Sequence, residues 1–124
     1  MNFFEKVKHK GIIDEEIVEY LENIFSNNAN KVFEVIERGI TKYKYIPSNR
    51  TAWVALGENR EHLIYPMVFC SCQDFYKNVV IKKNRVFCKH LLAQIICSAL
   101  KQFQFKEVAD SEYKLLIKEL KLSP

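Results

Sequence analysis

Phe69-Cys70-Ser71-Cys72 and, fifteen residues further on, Cys88-Lys89-His90-Leu91-Leu92-Ala93 are the stretch on which the reading of this chain turns. Cys70, Cys72, Cys88 and His90 are four good metal ligands in two tight pairs. Zinc takes four such groups in a tetrahedron, with sulfur at about 2.3 Å and imidazole nitrogen at about 2.0–2.1 Å, so the pairs must converge. Side chains two apart in an extended strand share a face, which lets Cys70 and Cys72 aim together where the chain bends at Ser71. Residues two apart in a helix diverge by about 200°. Cys88 and His90 therefore converge only if Cys88 precedes a helix that begins near Lys89 or His90, whose free N–H groups and dipole favour thiolates. Three thiolates and a neutral imidazole around a divalent ion carry −1, which Lys82, Lys83, Arg85 and Lys89 offset. Two readings compete: a pair of disulfides in a secreted mini-protein, or ordinary buried cysteines beside a surface histidine. The crowded Cys-x-Cys and Cys-x-His spacing favours metal in a reducing compartment, and the sulfur-rich set favours zinc over iron.

Outward from this core, the pattern is α+β. Asp14 is an N-cap for an amphipathic helix over about 14–25, with Ile17, Tyr20, Leu21 and Ile24 at helical spacing. Ser26 to Asn30 breaks it, and Val32, Phe33, Val35 and Ile36 form a second, short helix running to Gly39, a natural left-handed terminator. Strand-formers follow as Ile40 to Ile46, Thr51 to Leu56 and His62 to Phe69, separated by Pro47-Ser48-Asn49 and Gly57-Glu58-Asn59: an antiparallel three-stranded meander. The ligand pairs flank a basic loop, and the strongest helix of the chain carries Leu92, Ile95, Ile96, Ala99, Leu100 and Phe103 on one face. A last helix starts near Asp110 with Tyr113, Leu116, Ile117 and Leu120 as its stripe. The expectation is one domain over 1–124, with a helical part (1–39), the meander (40–69), the finger and its helix (70–103) and a C-terminal helix (110–122). Whether the first dozen residues, with Phe3, Phe4 and Val7, are ordered is open.

The 124 residues suffice for one modest core. No charged leader with an apolar run and cleavage site opens the chain, and the longest apolar stretch, Leu91 to Leu100, is interrupted by Gln94 and Ser98. A soluble intracellular protein, cytoplasmic or nuclear, is expected, with no membrane partner. The net charge of +4 is unevenly spread. Residues 1–30 hold three lysines against six acids, whereas residues 70–90 hold Lys77, Lys82, Lys83, Arg85 and Lys89 against Asp74 alone.

The Cys-x-Cys, fifteen residues, Cys-x-His arrangement resembles the SWIM zinc finger, and Phe69-Cys-Ser-Cys with Cys88-Lys-His-Leu-Leu-Ala93 looks specifically like the small stand-alone SWIM proteins of homologous recombination. The likeness covers about residues 14–120, strongly at the finger and by layout alone before it. It implies one structural Zn2+ and no enzymatic activity. It also implies a complex with a RecA-family recombinase paralogue, an ATPase, that binds DNA and helps recombinase filaments assemble on single strands, as in Shu-type complexes. Residue by residue, the four ligands transfer, and Ala93 as a close-packing position. The chain has no glycine-rich phosphate loop of its own.

Lys77, Lys82, Lys83, Arg85 and Lys89 are candidate contacts to a DNA backbone, with Tyr76 and Phe75 as candidate stacking partners; counter-charge to the finger predicts the same lysines, and core packing explains Phe75. Alternation places Tyr43 and Tyr45 on one strand face and Lys42 and Lys44 on the other, so these residues, with Arg50 and Trp53, read first as a half-buried sheet. Cys97 reads as a core residue, and His9 and His62 as surface ones. Leu115 with Leu122, and Val18 with Phe25, form second apolar lines that are either core or partner interface. The alternative functions are a stand-alone DNA-binding regulator and a thiol oxidoreductase using Cys-x-Cys; a metal hydrolase would need an open ligand position and has only Asp74 nearby.

Overall fold

The computed structural model describes residues 2–26, 28–57 and 60–122, with side chains through residue 118. Helix α1 (Phe3–Lys10) opens the chain, an ordered element that the sequence pattern left undecided. Asn2 caps it by accepting from the Glu5 N–H, and Gly11, in the left-handed region at φ 73°, ends it. Helix α2 (Glu15–Ile24) starts where expected, with the Asp14 side chain accepting from the Ile17 N–H. Lys10 pairs with Asp14 and Glu16, and Lys6 with Glu16, fastening α1 to the start of α2. Helix α3 (Asn30–Arg38) ends at Gly39, whose φ of 117° and ψ of 147° open a strand rather than a left-handed cap.

The meander is part of a larger sheet. Strands β1 (Ile40–Ile46), β2 (Arg50–Leu56) and β3 (Glu61–Tyr65) are antiparallel neighbours, as read. The third strand is shorter than 62–69: Pro66 cannot donate to a ladder, Met67 adopts φ 66°, and the Val68 N–H bonds the Tyr65 carbonyl. The chain turns there and returns as β4 (Phe69–Cys70), antiparallel to β3. A fifth strand, β5 (Gln104–Ala109), lies parallel to β1, giving the order β4-β3-β2-β1-β5. Its segment carries only Phe105 and Val108 as large apolar residues and is mostly exposed, so local pattern alone does not mark it. The edge of β1 supplies the pairing. The expected Glu58-Asn59 turn lies outside the described residues.

The fifteen residues read as a loop contain a π-helix, Phe75–Ile81, closed by i to i+5 bonding such as the Lys82 N–H to the Lys77 carbonyl. Helix α4 (Lys89–Leu100) stops three residues short of Phe103 because Lys101 turns left-handed at φ 57°. Phe103 packs edge-on against Trp53 from the following loop, ring centroids 4.8 Å apart. Helix α5 (Asp110–Leu122) begins at its expected residue.

Strand parity divides the core in two. Ile40, Trp53, Ala55, Ile64 and Cys70 face α1–α4 and join the larger cluster, where Leu91, Leu92 and Ile96 of α4 are fully buried. Each such side chain is worth about 1.5–3 kcal/mol of burial, which makes α4 the centre of the fold. Tyr45, Ala52 and Leu63 face the other way, under Tyr113, Leu116 and Ile117 of α5. The tyrosine and lysine alternation of β1 thus holds as read, but the tyrosines serve a second small core. Of the spare apolar lines, Phe25 is buried and Val18 packs on the larger core, while Leu115 is 59% exposed; Leu120 and Leu122 lie outside the described side chains.

Candidate metal centre

Three elements bring the four ligands together. Cys70 ends β4 opposite Ile64, on the sheet face that meets α4. Ser71 then ties the bend to β3 twice, its N–H donating to the Leu63 carbonyl at 3.0 Å and its Oγ accepting from the Leu63 N–H at 2.9 Å. That double tie turns Cys72 inward beside Cys70. Cys88 occupies the N-cap of α4 with extended backbone, φ −87° and ψ 173°, and His90 lies in the first turn, the arrangement that convergence requires. One atom from each of Cys70, Cys72, Cys88 and His90 lies within 4.8 Å of the others, and all four residues are buried.

The Phe75 N–H at the start of the π-helix donates to Cys72 Sγ at 3.3 Å. The Leu91 N–H in the first turn of α4 also pulls Cys88 down, as the position of Cys88 before a helix implies, whereas the π-helix amide carries no local signature in the sequence.

The crowding of the thiols dictates their protonation. Hydrogen bonds from Cys70 and then Cys88 hold Cys72 far below the ordinary thiol range. Bonding to that thiolate pushes Cys70 far up. Cys88 rises to about 12: hydrogen bonding with Cys70 pulls it down, but donation to Cys72 and burial outweigh this. One thiolate and two thiols are what a cluster of three buried sulfurs sustains without a cation. His90 is 5% exposed and its Nδ1 is buried with no hydrogen-bond partner. An unpaired buried nitrogen costs about 1–3 kcal/mol. Three clustered sulfurs and an imidazole with an unpartnered nitrogen fit a thiophilic divalent ion, and Zn2+ is the ion for this donor set.

Around the ligands the structure adds groups that the sequence did not single out. His62, read as a surface residue, packs its ring 4.3 Å from that of His90; burial and then His90 itself pull it down to about 4. It lies on a neighbouring strand, and no local spacing announces the contact. Arg85 donates to Asp74 and stacks over Phe25 at 4.8 Å, so its guanidinium closes the segment between the ligand pairs. Asn78 adds to this clasp, donating to Asp74 at 2.8 Å and accepting from the Asn84 side chain at 3.1 Å. The i, i+4 pair Asp74 and Asn78 was the available signal. Lys77, Lys82 and Lys83 are exposed, Lys89 is half-buried, and Tyr76 is 61% exposed while Phe75 is core. Cys97 is fully buried, stands outside the ligand group, and is pushed up to about 11 by burial. Ala93 is fully buried, in keeping with close packing. His9 is exposed. Among the described residues no helix is long and apolar enough to cross a membrane.

No protein-family model matches the chain, and no solved structure matches it. Curated proteins do. The zinc finger SWIM domain-containing protein 7 homolog of Dictyostelium discoideum is 33% identical over 116 residues, 90% of this chain and 72% of that protein. The zinc finger SWIM domain-containing protein 7 of Mus musculus is 27% identical over 115 residues (91% and 76%), and that of Homo sapiens 25% identical over 108 residues (86% and 77%). With its Cys70, Cys72, Cys88 and His90 centre binding zinc, the chain belongs to the zinc finger SWIM domain-containing protein 7 family.

Proposed function

We propose that the protein is a non-enzymatic zinc-bound accessory factor of homologous recombination and DNA repair inside the cell. In this reading it pairs with a RecA-family recombinase paralogue and supports binding of DNA, single strands above all. The observation that carries the reading is the filled ligand set: three buried cysteines and a buried histidine take all four positions of a tetrahedral zinc, leaving none for a reacting water. Such a metal shapes a surface and does no chemistry. The same burial weighs against a thiol oxidoreductase, which needs an accessible thiolate pair.

The surface so shaped carries Tyr76 with Lys77, Lys82 and Lys83, an aromatic face among three exposed cations. Stacking and phosphate neutralisation together suit single-stranded nucleic acid. Arg85 is engaged with Asp74 and is given a structural part. A stand-alone DNA-binding regulator is the second reading, favoured by that same exposed surface.

Two measurements test this. Affinity purification of the native protein should recover a RecA-type ATPase in stoichiometric amount; recovery of none contradicts the complex. Titration of labelled single-stranded DNA at two salt concentrations should show salt-sensitive binding that strengthens with the partner present. The Lys82→Ala, Lys83→Ala double variant should flatten the log–log salt slope by about 1.4, at about 0.7 per lost phosphate contact. An unchanged slope removes the loop from the interface, and tight binding by the isolated chain favours the regulator.

A further inference from the structure

On the sheet face away from the zinc, a half-open cavity of about 170 Å3 is lined by Tyr43, Tyr45, Glu61, Val108, Glu112, Leu115 and Leu116. Tyr45 is 2% exposed, and among the described residues its phenol oxygen has no hydrogen-bond partner. Glu61 and Glu112 are exposed and make no ion pair among those residues. Lys106 stands across the β1–β5 ladder from Tyr43, yet its side chain does not line the cavity. Beside it the chain already seats one cation on one ring: the Arg50 guanidinium lies 4.7 Å from the centre of Tyr113, which itself packs edge-on against Tyr45.

Two carboxylates, an unpaired hydroxyl and tyrosine faces line the cavity with no positive charge among them. A cation is what they lack. We infer that this cavity receives the side chain of a lysine from a partner protein. An ammonium offers three donors to three acceptors, Glu61, Glu112 and the Tyr45 hydroxyl. Its methylenes lie against Leu115, Leu116 and Val108, and its charge gains from the ring faces. The volume holds about five or six water-sized groups, and a lysine has five beyond its Cβ-bearing carbon, four methylenes and the nitrogen. A guanidinium, flat and wider, matches the acceptors less well. The site is separate from the finger and stands whether or not the proposed role in recombination is correct.

The test uses the full zinc-loaded chain with 13C-labelled tyrosine and Nα-acetyl-lysine methylamide as the probe. The Tyr43 and Tyr45 ring signals should shift saturably, with a Kd of about 1–10 mM, the strength expected of a single side chain. The Nε-acetylated probe, equal in reach but uncharged, should bind at least tenfold more weakly. So should the lysine probe to the Glu61→Gln, Glu112→Gln double variant, whose Tm should equal that of the parent. Equal binding by the acetylated probe or by the double variant overturns the inference, as does the absence of a saturable shift. Spermidine binding tenfold more tightly than the lysine probe assigns the cavity to a free polyamine and overturns the partner side chain.

Discussion

Replacing His90 by leucine keeps most of the ring's volume and removes one zinc ligand. Zinc contributes about 10–16 kcal/mol to the folding of small finger domains near neutral pH, so an equal share per ligand is about 2.5–4 kcal/mol. The apolar replacement leaves little cavity, and the packing of the ring against His62 is lost with it. A domain of this length has a total stability of about 5–15 kcal/mol, so the variant loses a large fraction of it. Taking about 3–5 °C per kcal/mol, the midpoint should fall by about 8–20 °C. The assay is thermal unfolding followed by circular dichroism, with zinc per chain measured on the same sample and with a chelator arm. Chelator should lower the parent strongly and His90→Leu far less, because the variant has already lost most of its metal. His90→Cys, which restores a fourth donor, should recover bound zinc. A His90→Leu protein that keeps one tightly held zinc per chain and unfolds within about 3 °C of the parent refutes the reasoning, since that shift is below about 1 kcal/mol.

Three further outcomes follow from other parts of the molecule. Because Cys72 is held ionised while Cys70 and Cys88 are pushed up, zinc uptake near pH 7 must expel two protons, and affinity should drop about 100-fold for each pH unit lowered; a competition titration at pH 6, 7 and 8 reads the slope, and a slope of zero contradicts the protonation pattern. Arg85→Ala removes both the Asp74 pair and the stack on Phe25 and should cost about 1–2 kcal/mol in urea unfolding, whereas Lys83→Ala should cost under about 0.5 kcal/mol; equal costs would show that the clasp contributes nothing. Asp110→Ala frees the Ser48 hydroxyl, which donates to Asp110 at 2.8 Å, and with it the tie between the β1–β2 turn and the start of α5; a loss of about 1 kcal/mol is expected by the same method.

The centre was legible because its chemistry is local. Cys-x-Cys and Cys-x-His each fit in three residues, and the argument that Cys88 must precede a helix needs only helix geometry. The starts of α2 and α5 were legible for the same reason, through Asp14 and Asp110. What escaped was held by partners distant in sequence. Strand β5 has two large apolar residues and is defined by the edge of β1, some sixty residues earlier in the chain. His62 meets His90 across β3 and α4, and Arg85 reaches Phe25 in the first third of the chain. The π-helix was hidden differently, since a period of i+5 leaves no familiar spacing and its polar face reads as loop. At 62–69 the strand-forming pattern runs straight through Pro66, and the turn that ends β3 is signalled by that proline alone. The lysines show the limit of composition. Five basic residues in the 70–90 segment look alike as charge, yet one is a clasp, three are exposed, and one is half-buried at a helix start.

X-ray absorption at the zinc edge of the purified protein tests the metal centre most directly. Three sulfurs at about 2.3 Å and one nitrogen at about 2.0–2.1 Å per zinc are the predicted shell. A shell of four sulfurs, which would need the buried Cys97, or one containing water oxygen, would contradict a centre closed by Cys70, Cys72, Cys88 and His90.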